Sequence, residues 1–224
     1  MNTANSQAHY NNGLQAKSNS EYGRAIDEFR LAVDVDPDNA DAHKELGWLT
    51  YGINGSLIEA CNHLESALCL NAQLGDAHMY LGIVLNRLSK FGESEAHFRI
   101  ALEQSEDPAI VHSTFAEDFL WHKGRYGEAE QHFLEALRLC PEMTLALRDY
   151  ARMLSCHGRD DEAQNLFQRA LDIDPKNRHT KRAYEEFMRE KESDDRNPDE
   201  CLRAAVKKDP SYVGGIAALN NRSI

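Results

Sequence analysis

Long apolar runs are missing from this chain. No stretch of its 224 residues approaches the roughly 18 to 20 apolar residues that a membrane-crossing helix needs. Positive charge is scarce as well. Lys and Arg number 25 against 37 Asp and Glu, a formal net charge of −12. The deficit is uneven: residues 1–108 carry 16 acids and 7 bases, residues 109–224 carry 21 and 18. Such a surface repels phosphate backbones, which argues against a general nucleic-acid binder. The five cysteines (Cys61, Cys69, Cys140, Cys156 and Cys201) are odd in number and form no C-x-x-C pair. A metal cluster or a disulfide framework needs closer or paired spacing, so ordinary reduced thiols are expected. No nucleophile elbow, glycine-rich phosphate loop, H-E-x-x-H or deaminase-type metal motif occurs. The expectation is therefore no enzyme, no cofactor and no metal. The start, MNTANSQAHYNNG, has neither a basic nor an apolar segment, which predicts no signal peptide and a cytoplasmic protein.

What is present is a repeat. A small-residue column runs Ala25, Ala60, Ser94, Ala129, Ala163, at separations of 35, 34, 35 and 34 residues. Four residues further on lies a large apolar column: Phe29, Leu64, Phe98, Phe133, Phe167 and Leu202. Three beyond that, every position is alanine: Ala32, Ala67, Ala101, Ala136, Ala170 and Ala205. Spacings of four and three place these residues on one helix face. Upstream in each unit a second small column reads Gly13, Gly47, Gly82, Ala116, Ala151, and fails at Glu185. Each unit is thus two short helices. The first ends near glycine (Gly55, Gly124, Gly158) and the second usually near proline. Small residues on facing stripes let helix axes approach to about 8–10 Å.

With these columns the chain resembles a tetratricopeptide repeat protein, whose unit is a 34-residue helix–turn–helix. The resemblance covers six units: 6–39, 40–74, 75–108, 109–143, 144–177 and a degenerate 178–212. It implies an all-α, right-handed superhelical solenoid and one domain over 1–224. The second and fourth units each gain one residue, most simply placed in the turn between their helices. In the sixth, Pro198 stands where the small residue belongs, and Asn197 before it is a sound helix cap. Residues 213–224, with Ile216 and Leu219, are expected to cover the last repeat, because the end of a solenoid has no neighbour.

Two histidine ladders follow the repeat: His9, His43, His78 and His112, then His63, His97 and His132. Equivalent positions on stacked units lie about 8–10 Å apart, too far for two imidazoles to share a zinc ion at about 2.1 Å each. A part-buried packing role is the simple expectation, with a pH-sensitive or metal-linked role as the alternative.

In arrays of this family the first helices line the concave side, and the register then names the outward residues. In the first half they are Tyr10, Leu14, Lys17, Lys44, Trp48, Tyr51, Met79, Ile83, Asn86 and Arg87. In the second they are Leu120, Trp121, Arg148, Arg152, His179, Arg182 and Arg189. Trp, Tyr and Arg are enriched among binding hot spots. Arg148 and Arg152 share a helix face, and with Arg182 they would form a positive pocket for an acidic side chain or a terminal carboxylate. The competing reading pairs these arginines with Asp149, Glu185 or Glu186. A chaperone-tail clamp would need Asn four residues after Lys44, where Trp48 stands, so that ligand is not expected.

The leading expectation is a non-catalytic adaptor or assembly cochaperone holding a peptide or protein segment. Alternatives are an accessory or targeting subunit of a separate enzyme, or a self-assembling scaffold in which copies of the chain bind one another. A helical-repeat RNA reader would need a basic groove, and the charge opposes it.

Overall fold

The computed structural model describes residues 2–193 and 197–222 and is all-α, with thirteen helices among the described residues. The fold divides into two compact units, Met1–Glu106 and Asp107–Ile224, at the border between the third and fourth repeats. The first unit holds α1 (Asn2–Ser18), α2 (Tyr22–Val35), α3 (Ala40–Leu49), α4 (Leu57–Leu70), α5 (Gly75–Arg87) and α6 (Phe91–Gln104). The second holds α7 (Pro108–Thr114), α8 (Tyr126–Leu139), α9 (Thr144–Cys156), α10 (Asp160–Ile173), α11 (Arg178–Lys191), α12 (Pro198–Lys208) and α13 (Val213–Arg222).

Each of the first five repeats is a helix pair closed by its columns. Ala25, Phe29 and Ala32 of α2 are all 0% exposed, and so are Ala129, Phe133 and Ala136 of α8. The small column of the first helix exists because the large residue of the second lies on it. A Cβ built on Gly13 would sit 2.6 Å from the Phe29 ring, and one on Gly82 would sit 3.0 Å from the Phe98 ring. The exception in the small-residue column of the second helix explains itself. Ser94 is fully buried and donates its hydroxyl to the Gly82 carbonyl at 2.7 Å, so its polar atom is satisfied inside the pair.

The turn between the helices is the same in all five pairs. Its left-handed residue lies five before the small column: Ser20 (φ 61°), Gly55 (66°), Ser89 (62°), Gly124 (74°) and Gly158 (74°). The extra residue of the second and fourth units therefore does not lie in the turn, contrary to expectation. It is absorbed before the turn, where α3 runs on as a π-helix over Thr50–Asn54 and α7 does so over Phe115–Trp121. A π-turn spans one more residue than an α-turn, which lets a helix take an insertion without moving its end. The two serines hold a conformation that costs an L-residue roughly 1–2 kcal/mol, less what glycine loses in unfolded-state entropy. Ser89→Gly should accordingly raise stability by up to about 1 kcal/mol in urea titrations; a loss would show that the hydroxyl outweighs the backbone.

The C-terminal segment departs most from expectation. Asn197 caps α12 as read from sequence, accepting from the amides of Asp199 (3.1 Å) and Glu200 (3.3 Å). Yet Ala205 of α12 packs with Tyr212 and with Tyr126 at the start of α8. The physical reason is legible on α11. Glu185 occupies its small column and Pro198 replaces the facing alanine, so the close approach that joins the other pairs is unavailable. Asp209 instead accepts the Gly127 amide at 2.7 Å, and Gly158 lies against the Pro198 carbonyl. Residues 198–215 thus run along the turns of the fourth and fifth pairs. Rather than covering the last helix, Gly214 of α13 lies against Glu130 and Arg159.

Candidate functional site

In the first unit the expected surface residues are brought together only in part. Trp48 stacks on Tyr80 (centroids 4.3 Å, interplanar 13°) and leans on Tyr51 at 5.5 Å; Arg87 Nε donates to the Tyr51 hydroxyl at 3.3 Å. Lys44 lies between Asp41 (3.5 Å) and Glu45 (3.6 Å), and Lys17 reaches Glu45 at 2.6 Å. Tyr10 is half-buried with its ring 5.8 Å from Phe29, and burial, then Asp41 and Glu45, push its hydroxyl pKa up to about 12. Met79 and Ile83 present no surface, each being 4% exposed. They belong to α5, which is apolar nearly all round and buried from Gly75 to Leu85 on several faces. Tyr80 was missed by sequence reasoning. Its column, two before the small one, also holds Glu45 and Asp149 and would have pointed to it.

In the second unit Arg148, Arg152, His179, Arg182, Ala183 and Glu186 line one open cleft. A neighbouring depression shares Arg152, Ala183 and Glu186 and continues to Trp121, Cys156 and Phe187. The cleft is not simply positive. Arg148 holds Asp149 through two bonds of 2.9 Å, and Arg152 reaches Asp149 at 3.4 Å and Glu117 at 3.6 Å. Arg182 pairs with Glu186 at 2.9 Å. Depth decides what an arriving group meets. The Asp149 side chain is 5% exposed, whereas Arg152 is 44% and Arg182 82% exposed. Asp149 therefore acts as a floor beneath Arg152, whereas the Arg182–Glu186 pair is exposed, Glu186 at 51%. Arg152 also lies 5.5 Å from the Trp121 ring centre, a cation–π spacing that orients it. Leu120, also expected outward, is 0% exposed, because the π-turn of Phe115–Trp121 rotates the last residues of this helix by one position.

The histidine ladders meet each other rather than running separately. His43 Nδ1 lies 3.1 Å from His63 Nδ1, His78 Nδ1 lies 2.8 Å from His97 Nδ1, and His112 Nδ1 lies 2.8 Å from His132 Nδ1. At the same position of the first repeat His9 meets Glu28 at 2.8 Å, while the fifth repeat carries Leu147 and Leu166 there. A carbonyl can only accept, so His43 and His78, bonded through Nε2 to the carbonyls of Pro37 (3.1 Å) and Ala72 (3.2 Å), carry their proton on Nε2. Their Nδ1 atoms are then acceptors, and the N–H comes from His63 and His97. Burial holds the pKa of His43, His63, His78, His97 and His112 below the usual imidazole value. The offset of 20, 19 and 20 residues between ladders was the signal in the sequence.

A second buried polar group sits under the C-terminal segment. Arg159 pairs with Glu130 and donates to the Tyr212 hydroxyl at 2.9 Å, while Tyr150 donates to Glu130 at 2.6 Å. Beside them His157 is 4% exposed, its ring 4.1 Å from Tyr126 and 5.3 Å from Tyr212, and its Nδ1 has no hydrogen-bond partner among the described residues. Burial, then Arg159 and Lys208, lower its pKa to about 4, with Asp209 opposing. An unfolded histidine titrates near 6.5, so the folded chain binds fewer protons between these values. The contribution is full above pH 6.5 and is lost as pH falls towards 4, up to about 3 kcal/mol in all. Urea midpoints measured from pH 7 to 4.5 should fall, and less steeply in His157→Phe; equal slopes would remove His157 from the account.

Residues 108–176 match the tetratricopeptide repeat family. That stretch is a run of tetratricopeptide repeats. Over 79 residues it is 35% identical to Protein O-mannosyl-transferase Tmtc2 of Drosophila melanogaster, a stretch covering 35% of this chain and 8% of that protein. The chain thus spans less than a tenth of that relative's length. Among solved structures it is similar to TTC0263, a thermophilic tetratricopeptide repeat protein of Thermus thermophilus (TM-score 0.73, 19% identity, 82% of this chain and 98% of that one). It is also similar to pilF of Pseudomonas aeruginosa (TM-score 0.68, 17% identity, 97% and 99% covered). At these identities the structures establish the all-α helical-repeat fold. A tetratricopeptide repeat fold is that of a protein–protein interaction module. No helix among the described residues is long and apolar enough to cross a membrane.

Proposed function

We propose that this chain is a non-catalytic adaptor or assembly cochaperone that holds an extended protein segment against its first helices. In this reading the arginine cleft of the second unit receives an acidic side chain or a C-terminal carboxylate of that segment. The observation that carries it is the layering of Arg152 and Arg182 outside the buried Asp149, with Trp121 beside Arg152. Asp149 and Glu117 hold the Arg152 guanidinium in place, and a pre-organised guanidinium loses little freedom when it binds. The Trp48, Tyr51 and Tyr80 cluster of the first unit supplies a flat apolar surface of the kind that anchors side chains.

The test uses a pool of peptides ending in Asp or Glu, each made with a free and with an amidated C-terminus. Fluorescence anisotropy should show binding that weakens with salt and is lost in Arg152→Glu. Equal binding by wild type and variant would move the site away from this cleft.

A second reading is supported by the stretch of likeness to Tmtc2. There the repeats are the accessory or targeting arm of a separate or larger enzyme. Transferase activity that co-purifies with the chain and departs when the chain is removed would favour it.

A further inference from the structure

We propose that each of the three histidine pairs is a two-nitrogen site for a divalent transition-metal ion of the imidazole-binding kind, such as Ni2+ or Cu2+. The argument begins with spacing. Two imidazole nitrogens about 2.1 Å from one ion and at right angles to each other lie about 3 Å apart. The Nδ1 atoms of His43 and His63 are 3.1 Å apart, and those of the other two pairs 2.8 Å apart. A right angle is the geometry of adjacent ligands on square-planar or octahedral ions, which favours Ni2+ or Cu2+ over tetrahedral Zn2+.

Orientation supports the same conclusion. Metal-bound histidines usually donate their other N–H to a carbonyl, which fixes the tautomer and leaves the ligating lone pair on the opposite nitrogen. His43 and His78 do this through Pro37 and Ala72. Loading breaks the inter-ring hydrogen bond and moves the ring proton of His63 and His97 from Nδ1 to Nε2, so both imidazoles stay neutral and no proton is released. A carboxylate one helical turn before each second-helix histidine (Glu59, Glu93 and Glu128) brings negative charge to the same face. These carboxylates now lie near Arg30 (3.6 Å), Lys90 (3.5 Å) and Arg125 (2.6 Å). Among the described residues no three His, Cys, Asp or Glu side chains gather around one point. Each site thus has two protein ligands, completed by water, and exchanges its ion freely. The other two repeats act as internal contrasts, since His9 with Glu28 and Leu147 with Leu166 lack the second imidazole.

The experiment is calorimetric titration of the untagged full-length chain with NiSO4 at pH 7.5. Its comparison is a triple variant, His63→Asn, His97→Asn, His132→Asn. An asparagine amide can still donate to the remaining Nδ1, so the hydrogen bond and the fold are kept, as a thermal melt will check. The wild type should take up three more ions per chain than the triple variant, and each single variant should lose one. If the triple variant melts early, His112→Leu with His132→Leu copies the Leu147–Leu166 pair and should lose one ion. Equal uptake by wild type and variants would overturn the proposal and leave the pairs as hydrogen-bonded packing.

Discussion

Phe133→Ala should destabilise the chain by about 3–5 kcal/mol, read as a shift of the urea unfolding midpoint. The ring is 0% exposed and stacks on Tyr150 with centroids 5.4 Å apart and planes at 17°. Its removal leaves a cavity between two rigid helices, because Ala129 and Ala136 on either side have no atoms to fill it. The upper end of the range is expected. Tyr150 positions its hydroxyl on Glu130 at 2.6 Å, so a ring that tilts into the cavity also loosens a buried charge. A loss below about 1 kcal/mol would mean that the repeat register is misplaced.

Arg159→Ala should cost as much by a different route. Its guanidinium pairs with Glu130, with side chains 7% and 10% exposed, and donates to Tyr212, which is 0% exposed. Removing one partner of a buried pair typically costs about 3–5 kcal/mol, since the other charge is left unpaired away from water. The pair itself contributes far less than that figure, because both ions also gave up their hydration. Arg159→Met combined with Glu130→Leu should therefore lose less than Arg159→Ala alone, although the hydroxyls of Tyr150 and Tyr212 then lose partners. A double variant as unstable as the sum of its singles would contradict this coupling. The single variant should also free the C-terminal segment, seen as faster amide exchange over residues 198–222.

The two predictions differ in how far the sequence alone supports them. Phe133 was legible because packing repeats: the same large residue recurs on the same face between the same alanines, and the buried columns follow it. Arg159 was not, because its partners come from three places in the chain, Glu130, Glu162 and Tyr212. The extra residue at Thr50–Asn54 was legible as an insertion but not as a π-turn. Column spacing is the same whether a residue is added to the helix or to the turn that follows. The histidines were legible as ladders, since each ladder is periodic, while their pairing depends on which helix faces which. Among the cleft residues Arg148, Arg152 and Arg182 were foreseen together, and so was their competition with Asp149 and Glu186. What the sequence did not contain was depth. Asp149 is buried at 4% exposure while the outer arginines face solvent, and that difference turns a neutral set of ion pairs into a layered surface.

Site-specific photocrosslinking tests the central claim most directly. A benzophenone amino acid placed at Trp121, beside the arginine cleft, is compared in cells with one at Leu134, a 52% exposed position on the second helix of the same repeat. A defined protein captured from position 121, absent from position 134 and lost when Arg152→Glu is added, is the predicted result. Capture of the same protein from position 134 and none from 121 would contradict the account, because binding would then lie on the second helices.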